Sequence, residues 1–452
     1  MSEALQTVRI EILSGLSRQT ADCIRNGQIE AGKAWMMCVD TLHEAMTTRG
    51  KWPNRNSLQK LVKGQFGLHS QSAQMVCHAF LANVDTARQL RQSGRKEIRY
   101  PYKKKHFYPL LWPAQAMSIQ GDKIILPMGR NRKSIVLKRP DWLVVPTACK
   151  IIWNLTHYEL HATVSHHVSV AAGSQEATVD LGQIHQCAVT TSTGQGLIVS
   201  GRGIRAEKKR ANKMHGSLAA KLSRCTKGSR RWKKLKRTRN EYALRAERRI
   251  RDMRHKGTRQ VIDFCVTHQV GSLFIGDPHG VRNRNCGRRQ NQRMSQWEYG
   301  KDTAYLQQKA AQAGISSFTG SERGTSSRCP VCGHKHKPGG RNWNCKACGF
   351  QGHRDLVGSA NMHEIAFGHK TMFPAAQAIT YLRPGTAAKR VLAGRQQRSA
   401  SRSNRPDTGH RENAHSPVPV LLHKSMDSTT DSVRAPQGAG YTHAPLSEAH
   451  SL

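Results

Sequence analysis

At 452 residues, 37 % of them apolar, the chain is long enough for two or three domains with real cores and is not disordered throughout. Its 72 Lys and Arg against 29 Asp and Glu give a formal charge of +43, at which a compact particle repels itself unless a polyanion neutralises it. Nucleic acid is the usual such polyanion, because phosphate contacts supply most of its affinity, with a ribosomal or membrane-surface protein as the other class this balance allows.

Thr7–Leu13 alternates, with Val8, Ile10 and Ile12 on one face, and reads as a strand. Residues 17–46 and 70–90 take up a helical period. In the second stretch Ala73, Val76, Cys77, Phe80, Leu81, Val84 and Ala87 form one apolar stripe suited to helix packing. Arg99–Phe107 interleaves aromatics with three lysines. It reads either as a solvated basic loop or as a segment stacking bases on Tyr100 and Tyr102 while Lys103, Lys104 and Lys105 hold phosphates. Short alternating runs at 123–126, 134–137, 151–154 and 158–164, separated by turn residues, suggest a small β-barrel that the helices interrupt. Three further strands are expected at 177–182, 186–191 and 196–200. Residues 202–259 carry 23 Lys and Arg against four acids and read as long helices broken at Gly228. Like charges at helical spacing destabilise a helix, so this surface is expected to track phosphates, with Lys208, Lys209, Arg210, Arg230, Arg231, Lys233 and Lys234 as its contacts. A strand at 271–275, a helix at 297–313, a strand at 315–318 and a helix at about 355–365 complete the ordered part. From about His369 the composition turns to Ser, Arg, Pro, His and Gly, and 394–452 is expected to be disordered.

No apolar run approaches the ~20 residues that cross a bilayer. Met1–Gly15 carries no basic stretch followed by an apolar core, so neither a membrane partner nor a signal peptide is expected. Eight of the twelve cysteines are scattered singly, which fits a reducing compartment and a cytoplasmic protein. The other four form two CxxC pairs, Cys329–Cys332 and Cys345–Cys348, separated by twelve residues. Each pair puts two thiolates on one tight turn, followed by Gly333 or Gly349, and together they make a four-sulfur shell for one zinc ion. Four ligands leave no open position, so this zinc is structural.

Two aspartates stand at strand and helix ends: Asp180 in Val179-Asp180-Leu181-Gly182, and Asp355 in Arg354-Asp355-Leu356-Val357-Gly358-Ser359-Ala360-Asn361. Taken singly, each is an ordinary turn former or N-cap. Their order with the other motifs says more. A V-D-L-G strand, two more strands, a basic helical stretch, an apolar strand, a helix, Thr325-Ser326-Ser327-Arg328-Cys329-Pro330-Val331-Cys332-Gly333, the second CxxC-Gly and then R-D-x-x-x-S-A-N resembles TnpB. These are transposon-encoded nucleases that look like ancestors of type V CRISPR effectors. The resemblance covers residues 175–365 closely and 1–170 only in layout.

The resemblance implies a multidomain α+β fold. An N-terminal wedge barrel (1–16 and 96–170) would carry a helical recognition insertion (17–95). An RNase H-like (RuvC) α/β domain (171–325 and 351–368) would contain the basic helices 202–259 and the zinc ribbon 326–350, followed by a basic, mostly disordered tail (369–452). It also implies three catalytic acids, of which Asp180 matches the first and Asp355 the third. Most relatives carry the second as a glutamate at the end of the strand that here reads Leu273-Phe274-Ile275-Gly276-Asp277, where Gly276 takes its place. Some family members move the acid to just before T-S-x-x-C, which here is Glu322, with Asp277 as the alternative. Three carboxylates converging on one spot stay ionised only with cations between them. Two Mg²⁺ ions about 4 Å apart, held by Asp180, Glu322 and Asp355, would bridge them to the scissile phosphate. The implied partners are a guide (omega) RNA and target double-stranded DNA with a short adjacent motif, and the implied assembly is a monomer or homodimer on a bacterial or archaeal nucleoid. A nuclease-dead, RNA-guided repressor and a guide-independent transposase accessory remain open as alternatives.

Overall fold

The structure, a computed structural model, describes residues 5–166, 168, 173–278, 285–336 and 339–384. The expected tail from 394 lies outside the described residues.

Ser17 begins helix α1 (Arg18–Thr47) by accepting a hydrogen bond from the Thr20 N–H at 3.1 Å. Its buried face, with Ile24, Trp35, Cys38, Val39 and Leu42, packs on Val76, Phe80 and Val84 of α3 (Ser70–Gln92). Between them lies a short helix, α2 (Arg55–Val62), that the apolar pattern does not reveal. Its mark in the sequence is Asn54 with Ser57, whose side chains form a reciprocal capping box.

The strands flanking these helices make two antiparallel sheets. One has the order β1-β7-β6-β2, from β1 (Leu5–Leu13), β7 (Tyr158–His166), β6 (Ala148–Trp153) and β2 (Leu110–Pro113). The other joins β3 (Ser118–Gln120), β4 (Lys123–Leu126) and β5 (Ile135–Lys138). The chain's first strand therefore pairs with residues about 150 positions later, from Leu5 opposite His166 to Leu13 opposite Tyr158, as interrupting helices require. Its apolar face is turned differently from expectation. Val8 and Ile12 are exposed, and Thr7 is buried instead. On the Thr7 side Glu11 accepts a hydrogen bond from Trp142 Nε1 at 3.2 Å.

The second core lies in a six-stranded sheet, β12-β11-β8-β9-β10-β15. Its centre is an antiparallel meander of β8 (Gln175–Leu181), β9 (His185–Thr191) and β10 (Gly196–Ser200). Parallel strands β11 (Val270–Asp277) and β12 (Ser316–Ser321) extend it on the β8 side, and β15 (Ile379–Leu382) pairs parallel to β10. Every residue of β9 is buried, so both faces of the sheet are covered. Alternation decides what goes where. Ala177, Val179 and Leu181 of β8 pack with Val261, Ile262 and Cys265 of α5 (Arg230–Thr267) and with Leu306 and Ala310 of α7 (Tyr299–Gln312). Thr178 and Asp180 therefore point to the opposite face, where α8 (Arg354–Phe367) lies and Thr178 Oγ1 donates to the Ser359 carbonyl at 2.7 Å. The expected tail start at 369 needs correcting, because β15 still belongs to this sheet.

The basic stretch forms α4 (Arg202–Ser223) and α5, joined at Gly228 with φ +88°, a conformation that favours glycine. The first buried residue of α5 is Leu244, so its first fourteen residues, 230–243, offer charge without a core face. Deeper along α5, Arg254 is fully buried and donates to the buried Asp302 of α7, which also accepts from Gln186 Nε2 at 2.9 Å. Removing one partner of such a pair strands the other charge in the core. Asp302→Ala should lower stability by about 3–5 kcal/mol, whereas Lys256→Ala in the exposed pair with Asp252 should cost under about 1 kcal/mol. Urea unfolding followed by circular dichroism checks both, and equal, small shifts would show that the Arg254 charge is not stranded.

Candidate active site and metal centre

Asp180 ends β8 on the face covered by α8, and the two elements touch closely. A Cβ placed on Gly358 would sit 2.8 Å from Asp180 Oδ2, so a side chain there would displace this carboxylate from its present place. Beside β8, the register that sets Ile275 against Val179 puts Gly276 next to Asp180 on the same face. Glu322, one residue past β12, folds back over that glycine: a Cβ at Gly276 would lie 2.6 Å from Glu322 Oε2 and 2.8 Å from Met362 Sδ. A side chain at 276 and the present position of Glu322 are mutually exclusive. The glutamate of one strand end fills the space vacated on its neighbour.

Burial, then the charges of Glu322 and Asp355, push the Asp180 carboxyl well above the usual carboxylate range, against the opposing charge of Arg354. Burial, then Asp277, raises Glu322 to about 7. Glu322 Oε2 is buried and, among the described residues, has no hydrogen-bond partner. The structure thus brings Glu322 and Asp355 each within electrostatic reach of Asp180. Asp277 follows Gly276 on the opposite side of the strand and is exposed, close enough to act on Glu322 but turned outward. Glu298, at the start of α7, pairs with Lys301 at 2.7 Å and Lys208 at 3.2 Å.

Asp355 opens α8, where the His353 ring accepts its backbone N–H at 3.3 Å. Two donors that motif reading did not anticipate hold one oxygen of its carboxylate. His185 Nδ1 donates to Oδ2 at 2.7 Å, and Arg341 Nη1 donates to the same atom at 2.9 Å. Burial would raise this carboxyl, but the His185 hydrogen bond and the charge of Arg341 hold it below its ordinary value. His185, His353 and Asp355 also present ligand atoms within 4.8 Å of one another. His185 starts β9 and Arg341 precedes β13 (Asn342–Asn344), 156 residues apart in the chain; no local spacing could have paired them.

The four cysteines converge. Cys329 Sγ lies 3.7 Å from Cys348 Sγ, and Cys332 Sγ lies 3.5 Å from Cys345 Sγ. A tetrahedron with Zn–S bonds of about 2.3 Å has edges of about 3.8 Å, so the cluster fits zinc. Gly333 and Gly349 have φ of +74° and +72° and donate back to the carbonyls of Cys329 and Cys345 at 3.0 Å, closing both knuckles. Hydrogen bonds from backbone N–H groups, that of Cys348 first, bring the Cys345 thiol down to about 6, which favours thiolate. Strand β13 pairs with β14 (Gln351–His353), which runs directly into α8, so the knuckle and Asp355 share one continuous segment.

The nucleic-acid candidates divide. Lys209, Arg210, Arg230, Arg231, Lys233 and Lys234 are exposed on α4 and α5, and Tyr102, Lys103 and Lys104 are exposed on their loop. Three others have internal partners. Lys208 donates to the Gln296 carbonyl at 2.6 Å and pairs with Glu298. Lys105 lies 3.5 Å from the centre of the Trp35 ring and 4.7 Å from that of Tyr108, where burial lowers it to about 8. Tyr100 packs edge-on against Trp52 at 4.9 Å. Open aromatic surface lies instead at Phe107 and Trp153, in a cleft of about 430 Å³ that also includes Arg25, Gln28, Tyr108 and Tyr158.

Residues 159–282 match the family described as OrfB_IS605, "Probable transposase", and residues 299–362 match "Cas12f1-like, TNB domain". A TnpB-like protein of Methanocaldococcus jannaschii is 27 % identical over 132 residues, which are 28 % of this chain and 47 % of that protein. The match thus spans about half the length of this curated relative. The fold superposes on that of the "Cas12f1-sgRNA-target DNA complex", solved by cryo-EM, with a TM-score of 0.55 over 76 % of this chain and 83 % of the other, at 12 % identity. The architecture is therefore the mixed α/β, multidomain fold of the Cas12f type. The two family matches and the archaeal relative support a protein of the TnpB family. Among the described residues no helix is long and apolar enough to cross a membrane.

If the four thiolates bind zinc, the purified protein should carry one zinc per chain by elemental analysis. Cys345→Ser should lose it and melt lower by on the order of 10 °C. Metal-free protein with an unchanged melting temperature would contradict this.

Proposed function

We propose that the chain is an RNA-guided DNA endonuclease of a transposon, cutting double-stranded DNA beside a short adjacent motif. The observation that carries this is the Asp180 carboxylate at the end of the six-stranded sheet, acted on by the charges of both Glu322 and Asp355, beside a buried Glu322 oxygen that has no hydrogen-bond partner among the described residues. The meander flanked by parallel strands supports reading this sheet as an RNase H-like (RuvC) domain, in which α8 would carry the third acid.

An unpaired buried carboxylate oxygen is costly, and three mutually repelling acids are a fitting donor set for hard divalent cations. Asp180, Glu322 and Asp355 would hold two Mg²⁺. When bound, these would polarise the scissile phosphate and stabilise the attacking and leaving oxygens. The chain's own part is geometric. Gly358 and Gly276 let three elements close on one point, and Ser359, bonded to Thr178, fixes α8 against β8. The exposed cations of α4 and α5 would track the phosphates of a guide RNA paired to its target strand. Residues 5–166 would act as wedge and recognition parts beside the adjacent motif. The four-cysteine knuckle would be a structural zinc ribbon that sets the start of α8.

The glycine at 276 supports one rival, a nuclease-dead repressor that binds its target without cutting. A cleavage assay on plasmid DNA with the RNA-loaded protein and Mg²⁺ separates the two. Asp180→Ala, Glu322→Gln and Asp355→Ala should each reduce cutting by about 100-fold or more, and Asp277→Asn should stay within about 3-fold of wild type. Cutting that survives Glu322→Gln but fails in Asp277→Asn would move the second acid to Asp277. Wild-type protein that binds but never cuts would favour the repressor. Sequencing the RNA that co-purifies should recover one defined transposon-end transcript, and its absence would point to a guide-independent accessory protein.

A further inference from the structure

Asp355 already has a cation beside it. The Arg341 guanidinium sits 2.9 Å from Oδ2, and His185 donates to the same oxygen at 2.7 Å. Two donors saturate an oxygen that a metal ion would otherwise use, and the positive charge of Arg341 opposes a cation arriving at Asp355. Arg341 is not locked in this place by burial: its side chain is 37 % exposed. It lies on the zinc-knuckle segment, whose carbonyl at 341 accepts the Arg354 N–H at 2.7 Å, so its backbone is tied to the start of α8 while its side chain keeps partial access to solvent. Arginine pairs with phosphate in the same two-pronged fashion as with carboxylate. A backbone phosphate brought to this site therefore offers Arg341 an alternative partner.

We propose that Arg341 couples nucleic-acid binding to metal loading, by holding Asp355 in the free protein and passing to a backbone phosphate when nucleic acid arrives. The inference rests on the two-metal reading above. Its consequence is that a divalent ion and nucleic acid bind with positive cooperativity, each helping to move the arginine. In the absence of substrate the site stays poorly loaded. Linkage makes the effect reciprocal.

The test is Mn²⁺ titration followed by electron paramagnetic resonance on the full chain with its bound RNA, with and without a hydrolysis-resistant phosphorothioate target duplex. Wild-type protein should bind Mn²⁺ about 10-fold more tightly with the duplex present. Arg341→Gln should bind it about 10-fold more tightly than wild type without the duplex, and the duplex should then add less than about 2-fold. Arg341→Lys keeps the charge and the fold but loses the two-pronged contact, and should fall between them. If Arg341→Gln instead weakens Mn²⁺ binding, or leaves the duplex effect intact, the arginine does not exchange and the proposal is wrong. Asp180→Asn separates the two layers: if it leaves Mn²⁺ binding untouched in every background, the ions are not at this site and the two-metal reading falls with the coupling.

Discussion

Like-charge repulsion at the end of one sheet is the constraint from which the rest of the molecule can be read. Glu322 past the end of β12 and Asp355 at the start of α8 both act on Asp180 of β8, and Asp180 and Glu322 are held above their ordinary range by burial and by neighbouring acids. A fold accepts such a cost only if something else in the site lowers it. For Asp355 the structure supplies Arg341 and His185. For Glu322 Oε2 it supplies no partner among the described residues. That asymmetry makes one oxygen of the cluster the natural landing point for a cation.

The elements around the cluster follow from it. The sheet must present Asp180 on the α8 face, and strand alternation does so while sending Val179 into the apolar layer under α5 and α7. Glycine at 276 and at 358 allows the approach of Glu322 and of α8. The knuckle lies between β12 and α8, so the four cysteines act on the site by fixing where α8 begins. The buried Arg254–Asp302 pair, with Gln186 at the head of β9, braces the opposite face. These links tie the two long-range features of the sequence, the CxxC pairs and the R-D-x-x-x-S-A-N helix, to one spot.

Much of this was legible in the sequence, and the reasons are specific. Strands β8 to β10 and helices α1 and α3 have clean periods, and the two CxxC-Gly turns carry their own geometry. Glu322 could be singled out because a family motif lay beside it and Gly276 left a gap. The electrostatics of Arg341 and His185 could not be read, since their meeting depends on tertiary approach across 156 residues. The first strand was legible as a strand, but which of its faces is buried was not. Val8 and Ile12 alternate as a buried face should, but the partner strand and Trp142 select the Thr7 and Glu11 side. Lys105, Tyr100 and Lys208 show the limit of composition: a basic or aromatic residue in a basic stretch can be consumed by its own fold.

The central claim is that the three acids share a pair of ions. The most direct measurement is anomalous diffraction from Mn²⁺-soaked crystals of the nucleic-acid complex. Two peaks about 4 Å apart, touched by Asp180, Glu322 and Asp355, are expected. Peaks at the aspartates with Glu322 turned away, or at Asp277 instead, would contradict it.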